Sequence, residues 1–226
     1  MQSEPPFLAA SDLTKTFGES AALRGVSFGA ERGEIIAVTG PSGSGKSTLL
    51  LCLSGILLPT GGDVVFDGKA LRTMNEAARS RLRRTEFGVL FQFGQLVPEL
   101  TAVENVALPL LLSGNSRREA TTTAGAWMDR LGVGELVARR PTQMSGGQAQ
   151  RVALARSLVT GPKILFADEP TGALDRQSGE MVLTHMVDAA KSSGTSVVLV
   201  THDRHVASFA DREVVIEDGL ATAHAH

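Results

Sequence analysis

A mainly parallel α/β sheet, with a small antiparallel part and an inserted helical lobe, is the fold class this sequence predicts. Three observations predict it. Short Val- and Ile-rich runs alternate with helical patterns toward both ends of the chain, as expected of strands buried on both faces and joined through helices. Two further runs end in Asp-Gly, a hairpin turn dipeptide. Between Gln92 and Gly161 the strand pattern stops and only helical patterns remain.

Taken in order, GEIIAVTG (33–40), FGVLFQ (87–92), KILFAD (163–168) and SVVLVTH (196–202) are the expected buried strands. The helices KSTLLLCLSGIL and RQSGEMVLTHMVDAAKSSG follow the first and third. GDVVFDG (62–68) and REVVIEDG (212–219) are the hairpin strands. TAVENVALPLLL, REATTTAGAWMDRLGV and PTQMSGGQAQRVALARSLV all follow helical patterns, placing a helical subdomain at 93–160. It interrupts a core formed by 1–92 and 161–226, within a single domain spanning 1–226. The basic run ARSRLRR (78–84) is expected as a solvated helix face, and the closing ATAHAH as a frayed tail rather than a metal site.

The chain has 226 residues, enough for one sizeable core, with 42% hydrophobic and 20% charged residues. Its 22 basic against 24 acidic residues leave a net charge of −2, without the basic excess of a nucleic-acid partner. Cys52 is the only cysteine; no intramolecular disulfide can form, and a small buried hydrophobe is expected there. MQSEPPFLAASDL has no basic start or long apolar run, so no secretory signal is expected. LLLCLSGILLP is too short to span a bilayer. A cytoplasmic chain follows, with any membrane part supplied by another protein.

GPSGSGKST, from Gly40 through Pro41, Ser42, Gly43, Ser44, Gly45, Lys46 and Ser47 to Thr48, has the phosphate-loop spacing G-x-x-x-x-G-K-[ST]. Glycines let successive N–H groups turn inward around phosphate oxygens, and the following helix adds its dipole. Lys46 is placed for the β- and γ-phosphates, and the Ser47 hydroxyl for Mg²⁺. ILFADEP ends a strand in two adjacent carboxylates. Asp168 is placed to hold the metal through water, and Glu169 to polarise an attacking water as general base. His202 and Gln92 close two other apolar strands. Polar groups at the carboxyl ends of neighbouring parallel strands sit where such sheets bind ligands.

Ser145-Gly146-Gly147-Gln148 opens a good helix yet carries no nucleophile, base or metal ligand. Bare Gly N–H groups at a helix N-terminus form an anion site. With no ligand nearby in sequence, that anion is expected to come from another molecule. A Ser N-cap, with Gly for tight packing, is the plainer reading of the same residues.

Taken together in this order, these motifs resemble those of ABC-transporter ATPase subunits over essentially the whole chain. The resemblance implies a P-loop NTPase (RecA-like) core that binds ATP and Mg²⁺. By that pattern Gly40–Thr48 is the Walker A loop, and Gln92 is the Q-loop glutamine, a metal ligand and catalytic contributor. Ser145–Gln148 is the signature, with Met144 where Leu is more usual. Asp168 and Glu169 are the Walker B pair, Asp175 ends the D-loop GALD, and His202 is the switch histidine. Phe17 stands where an adenine-stacking Tyr is common, keeping the stacking face without the hydroxyl. FGVLFQFGQLVPELTAVENVALPLLLSG is most similar to the macrolide-exporter and lipoprotein-release group. The resemblance further implies a head-to-tail dimer, each signature capping the γ-phosphate held by the other subunit's Lys46, bound to an integral-membrane permease. A cell-division regulator or a soluble ABC protein is the alternative.

Overall fold

The computed structural model describes residues 6–224, and none of its helices is long and apolar enough to cross a membrane. Residues 1–5 of the leader reading and the last two residues of ATAHAH lie outside that range. The chain divides into two compact units: the described residues of Met1–Arg83 with Ser196–His226, and Arg84–Thr195. The second takes in the expected helical stretch together with further strands and a helix.

In the first unit, β1 (Leu8–Phe17) and β2 (Ser20–Ala30) pair antiparallel; β3 (Ile35–Thr39) leads into the phosphate loop and α1 (Lys46–Leu53). β4 (Gly61–Phe66) joins β1, and β5 (Lys69–Ala70) joins β4, giving the order β2-β1-β4-β5. α2 (Glu76–Thr85) follows. Later in the chain, β8 (Ser196–Val200) and β9 (Arg212–Glu217) flank β3 as parallel neighbours, and β10 (Leu220–His224) pairs antiparallel with β9. β3 and β8 are buried along their whole length, as Val/Ile runs covered on both faces require.

β1 and β2 are not legible as strands in the sequence, for a physical reason. The pairing slips between Ala10 and Leu13, where Asp12 of β1 has φ 48°, and again between Leu13 and Thr14, where β2 skips Gly25 at φ 107°. Such a bulge breaks the two-residue alternation that marks a strand. The tail also departs from expectation: Leu220–His224 forms β10, in register with Glu217 through Glu213. The open edge of β9 is a row of backbone donors and acceptors that this segment satisfies. Helix α2 has no fully buried residue, yet the run is only partly solvated: the Arg79 and Arg83 side chains are 11% and 22% exposed and donate to the Met74 and Gly55 carbonyls. Its Arg79 and Arg83 both bond Glu76 at 2.6 Å. Hydrogen bonds from Arg83, Arg79 and Ser80 hold that carboxyl down at about 2.

In the second unit, β6 (Phe87–Leu90) and β7 (Ile164–Asp168) pair in parallel, with Phe87 and Phe166 edge-to-face at 5.2 Å. Helices α3 (Ala102–Leu112), α4 (Arg117–Arg130) and α5 (Gly146–Leu158) lie between them in sequence, and α6 (Arg176–Ser193) follows β7. Thr101/Glu104, Ser116/Glu119 and Ser145/Gln148 form complete capping boxes at the starts of α3, α4 and α5. Gly194, in the left-handed conformation, ends α6.

Candidate functional site

The phosphate loop lies in the first unit, between a fully buried strand and a helix whose first residue is Lys46. Lys46 is 7% exposed and donates to the carbonyl oxygens of Gly40 (2.8 Å) and Pro41 (2.7 Å). Gly40 has φ 134°, and a Cβ there would lie 2.0 Å from the Ile216 carbonyl oxygen. Gly45 has φ 106°, and a Cβ there would lie 2.3 Å from the Ala22 carbonyl oxygen. The loop's path is therefore open only to glycine at both positions. Ser44 Oγ is buried and has no hydrogen-bond partner among the described residues. An orphaned buried hydroxyl at the start of a helix, beside a buried lysine, fits a ligand rich in acceptors, such as a nucleotide phosphate.

A cavity of about 580 Å³ adjoins this loop, lined by Thr39, Gly40–Ser42, His202, Arg204 and residues of β9. His202 thus shares a wall with the phosphate loop. It does not close a strand: β8 stops at Val200, and His202 sits in the bend leading to α7 (Arg204–Ala207). Phe17 ends β1 and is 52% exposed, with Lys15 Nζ 5.3 Å from its ring centroid. An exposed aromatic face is what stacking on a base needs.

The second unit holds the acidic residues, the Gln and the glycine-led helix. Asp168 is the last residue of β7, and Glu169 follows with φ 46°. A non-glycine residue in that region is uncommon and clusters at functional positions. Gln92 also lies past its strand, since β6 ends at Leu90. A Cβ on Gly172 would lie 2.7 Å from the Gln92 amide nitrogen and 3.5 Å from Glu169 Cβ. Gln92 and Glu169 therefore both border the Gly172 backbone. Asp175 caps α6 through Ser178 N at 3.0 Å, and bonds from the Ser178 amide and hydroxyl lower its pKa.

The start of α5 realises the plainer reading in full. Ser145 Oγ accepts from Gln148 N (3.2 Å), and the Gln148 side chain accepts from Ser145 N (2.9 Å). Gly147 is buried where a Cβ would lie 2.8 Å from Ser178 Cβ, so only Gly lets the helix starts approach. That does not exhaust the site. Gly146 and Gly147 occupy the first two helical positions, whose N–H groups no intrahelical carbonyl can take.

A family model described as "ABC transporter" matches residues 23–172, two thirds of the chain. The chain belongs to the ABC transporter family. It is an ATPase subunit of a transporter, and its relatives are similar over nearly their whole length. The lipoprotein-releasing system ATP-binding protein LolD of Shewanella frigidimarina is 41% identical, covering 88% of this chain and 83% of that protein. LolD of Alcanivorax borkumensis is 39% identical, covering 97% and 98%. Among solved structures, the dimeric ATP-binding cassette MJ0796 in a post-hydrolysis state bound to ADP and Pi superposes with TM-score 0.88. It is 35% identical and covers 96% of this chain and 98% of that one.

Two residues of this ABC cassette escape sequence reasoning. Gln150, 2% exposed, donates to the Phe91 carbonyl at 2.9 Å. Arg156 donates to Gly94 O (2.6 Å) and Gln95 O (2.8 Å), and its burial lowers its pKa. Helix α5 thereby clamps both sides of the turn that carries Gln92. Nothing in the spacing marks these two, because polar residues on an amphipathic helix ordinarily face solvent.

Proposed function

We propose that this chain is the motor subunit of a lipoprotein-release-type transporter, hydrolysing Mg-ATP as a head-to-tail dimer that drives a separate membrane permease. The observation that carries the reading is the start of α5: two glycine N–H groups at a helix N-terminus, with the cap already satisfied by its own Gln148. Such an end attracts an anion, and the γ-phosphate of ATP held by a second copy is that anion. The names of the LolD relatives and the dimeric state of the similar cassette support the substrate class and the pairing.

In this reading Phe17 stacks on adenine, Gly40–Thr48 cradle the phosphates and Asp175 serves the dimer contact. Ser47, Gln92 and Asp168 offer the hard oxygen donors that suit Mg²⁺, which would neutralise charge on the phosphate oxygens. Glu169 takes a proton from the attacking water, and His202 senses the γ-phosphate. Residues 93–160 act as the helical subdomain that couples hydrolysis to the permease, holding the chain on the cytoplasmic membrane face.

Mixing two inactive variants tests the pairing. Lys46→Ala and Ser145→Arg are each expected to lose more than 90% of ATPase activity (roughly, from the loss of charge stabilisation), with ATP binding retained by Ser145→Arg. In their heterodimer both lesions fall in one composite site and the other is intact, so mixing restores activity. No recovery on mixing, with dimers demonstrably formed, contradicts the head-to-tail arrangement.

A further inference from the structure

Strand β9 sets an acidic side chain, Glu213, against the root of the phosphate loop. Its strand companions Val214 and Ile216 are buried in the core, so alternation turns Glu213 to the other face. There the hydroxyl of Thr39, 9% exposed, donates to the Glu213 carboxylate. Thr39 is the last residue of β3 and directly precedes Gly40. Gly40 in turn supplies a carbonyl acceptor for Lys46 Nζ at 2.8 Å. A continuous path therefore runs from the Glu213 carboxylate through Thr39 and Gly40 to the lysine ammonium.

The same hairpin touches the loop twice more. The Ile216 carbonyl oxygen lies against Gly40 at a distance that excludes any Cβ. Gly219 N, in the turn between β9 and β10, donates to Ser44 O at 3.1 Å. β9 and the turn after it thus back the loop near its start and its middle, and of these three contacts the Glu213 bond alone is made by side chains. Glu213 also lines the cavity that holds Gly40–Ser42 and His202.

We infer that Glu213 is a positioning residue for nucleotide binding, pinning Thr39 so that Gly40 and Lys46 are preset for the phosphates. The inference rests on Gly40–Thr48 being the nucleotide loop. A buried hydroxyl left without its acceptor costs more than a pair removed together, so removing both partners tests the bond with less loss of stability than removing one.

The experiment compares ATP KM, kcat and thermal midpoint for Glu213→Val, Glu213→Gln, Thr39→Val and the Thr39→Val/Glu213→Val double variant, with Lys46→Ala as control. Glu213→Val is expected to raise KM about fivefold, the size one hydrogen bond commands, with kcat within about twofold. Glu213→Gln keeps an acceptor and stays within about twofold of the native KM. The double variant is no worse than Glu213→Val alone, since both act on one bond. Should Glu213→Val fail to fold, Thr39→Val, which keeps the β-branched shape, breaks the same bond from the other end and must raise KM. A lowered midpoint with unchanged KM, or effects that multiply in the double variant, overturns the inference. If Lys46→Ala binds ATP as tightly as the native chain, the nucleotide-loop reading fails instead.

Discussion

At Gly40 the backbone leaves no room for a methyl group, because the Ile216 carbonyl oxygen would lie 2.0 Å from it. Gly40→Ala is expected to shift the loop and weaken ATP binding at least tenfold, about 1.4 kcal/mol, read by titration with a fluorescent ATP analogue. Cys52 shows the opposite use of burial. It is 1% exposed, and burial pushes its thiol up to about 11, with Lys15 acting weakly the other way. A folded-state pKa above the unfolded one favours the protonated native form. Its contribution to stability is full below about pH 8.5 to 9, the unfolded value, and is lost as pH rises toward about 11. Chemical denaturation from pH 8 to 10.5 should show a decline that Cys52→Ala flattens. The chain has no Tyr, which removes one competing titration from that range.

At the scale of elements, α5 does more than start with Ser-Gly-Gly. It caps itself, packs Gly147 against Ser178 and holds the Gln92 turn through Gln150 and Arg156. Arg156→Met should leave the Gly94 and Gln95 carbonyls without a donor, lowering stability by about 2 kcal/mol. Hydrolysis rate should fall more than ATP affinity, which a kcat and KM comparison separates. The helices of the 93–160 stretch and the phosphate loop are legible in the sequence because each rests on local chemistry (caps, glycines and periodicity), though α1 ends at Leu53 and α5 starts at Gly146, inside the stretches read as helical. The first two strands are not, because irregularities at Asp12 in β1 and Gly25 in β2 break their alternation. Nor are Gln150, Arg156 and Glu213, whose partners lie 59 to 174 residues away in sequence. Gln92 and His202 are legible as polar ends of apolar runs, though each sits past its strand end in a turn.

For the whole molecule, the chain folds a complete phosphate loop yet opens α5 on N–H groups that its own helix cannot use. The proposed function takes that helix start as half of a site that a second copy completes. Glu169 holds a left-handed backbone beside Gly172 and Gln92, and removing its charge should stop hydrolysis while leaving nucleotide binding intact. The most direct measurement is therefore the mass of Glu169→Gln by size-exclusion light scattering, with and without saturating Mg-ATP. A shift from the single-chain mass of 23.8 kDa to twice that value on adding Mg-ATP is predicted. A single-chain mass under both conditions, with ATP demonstrably bound, would contradict the composite site.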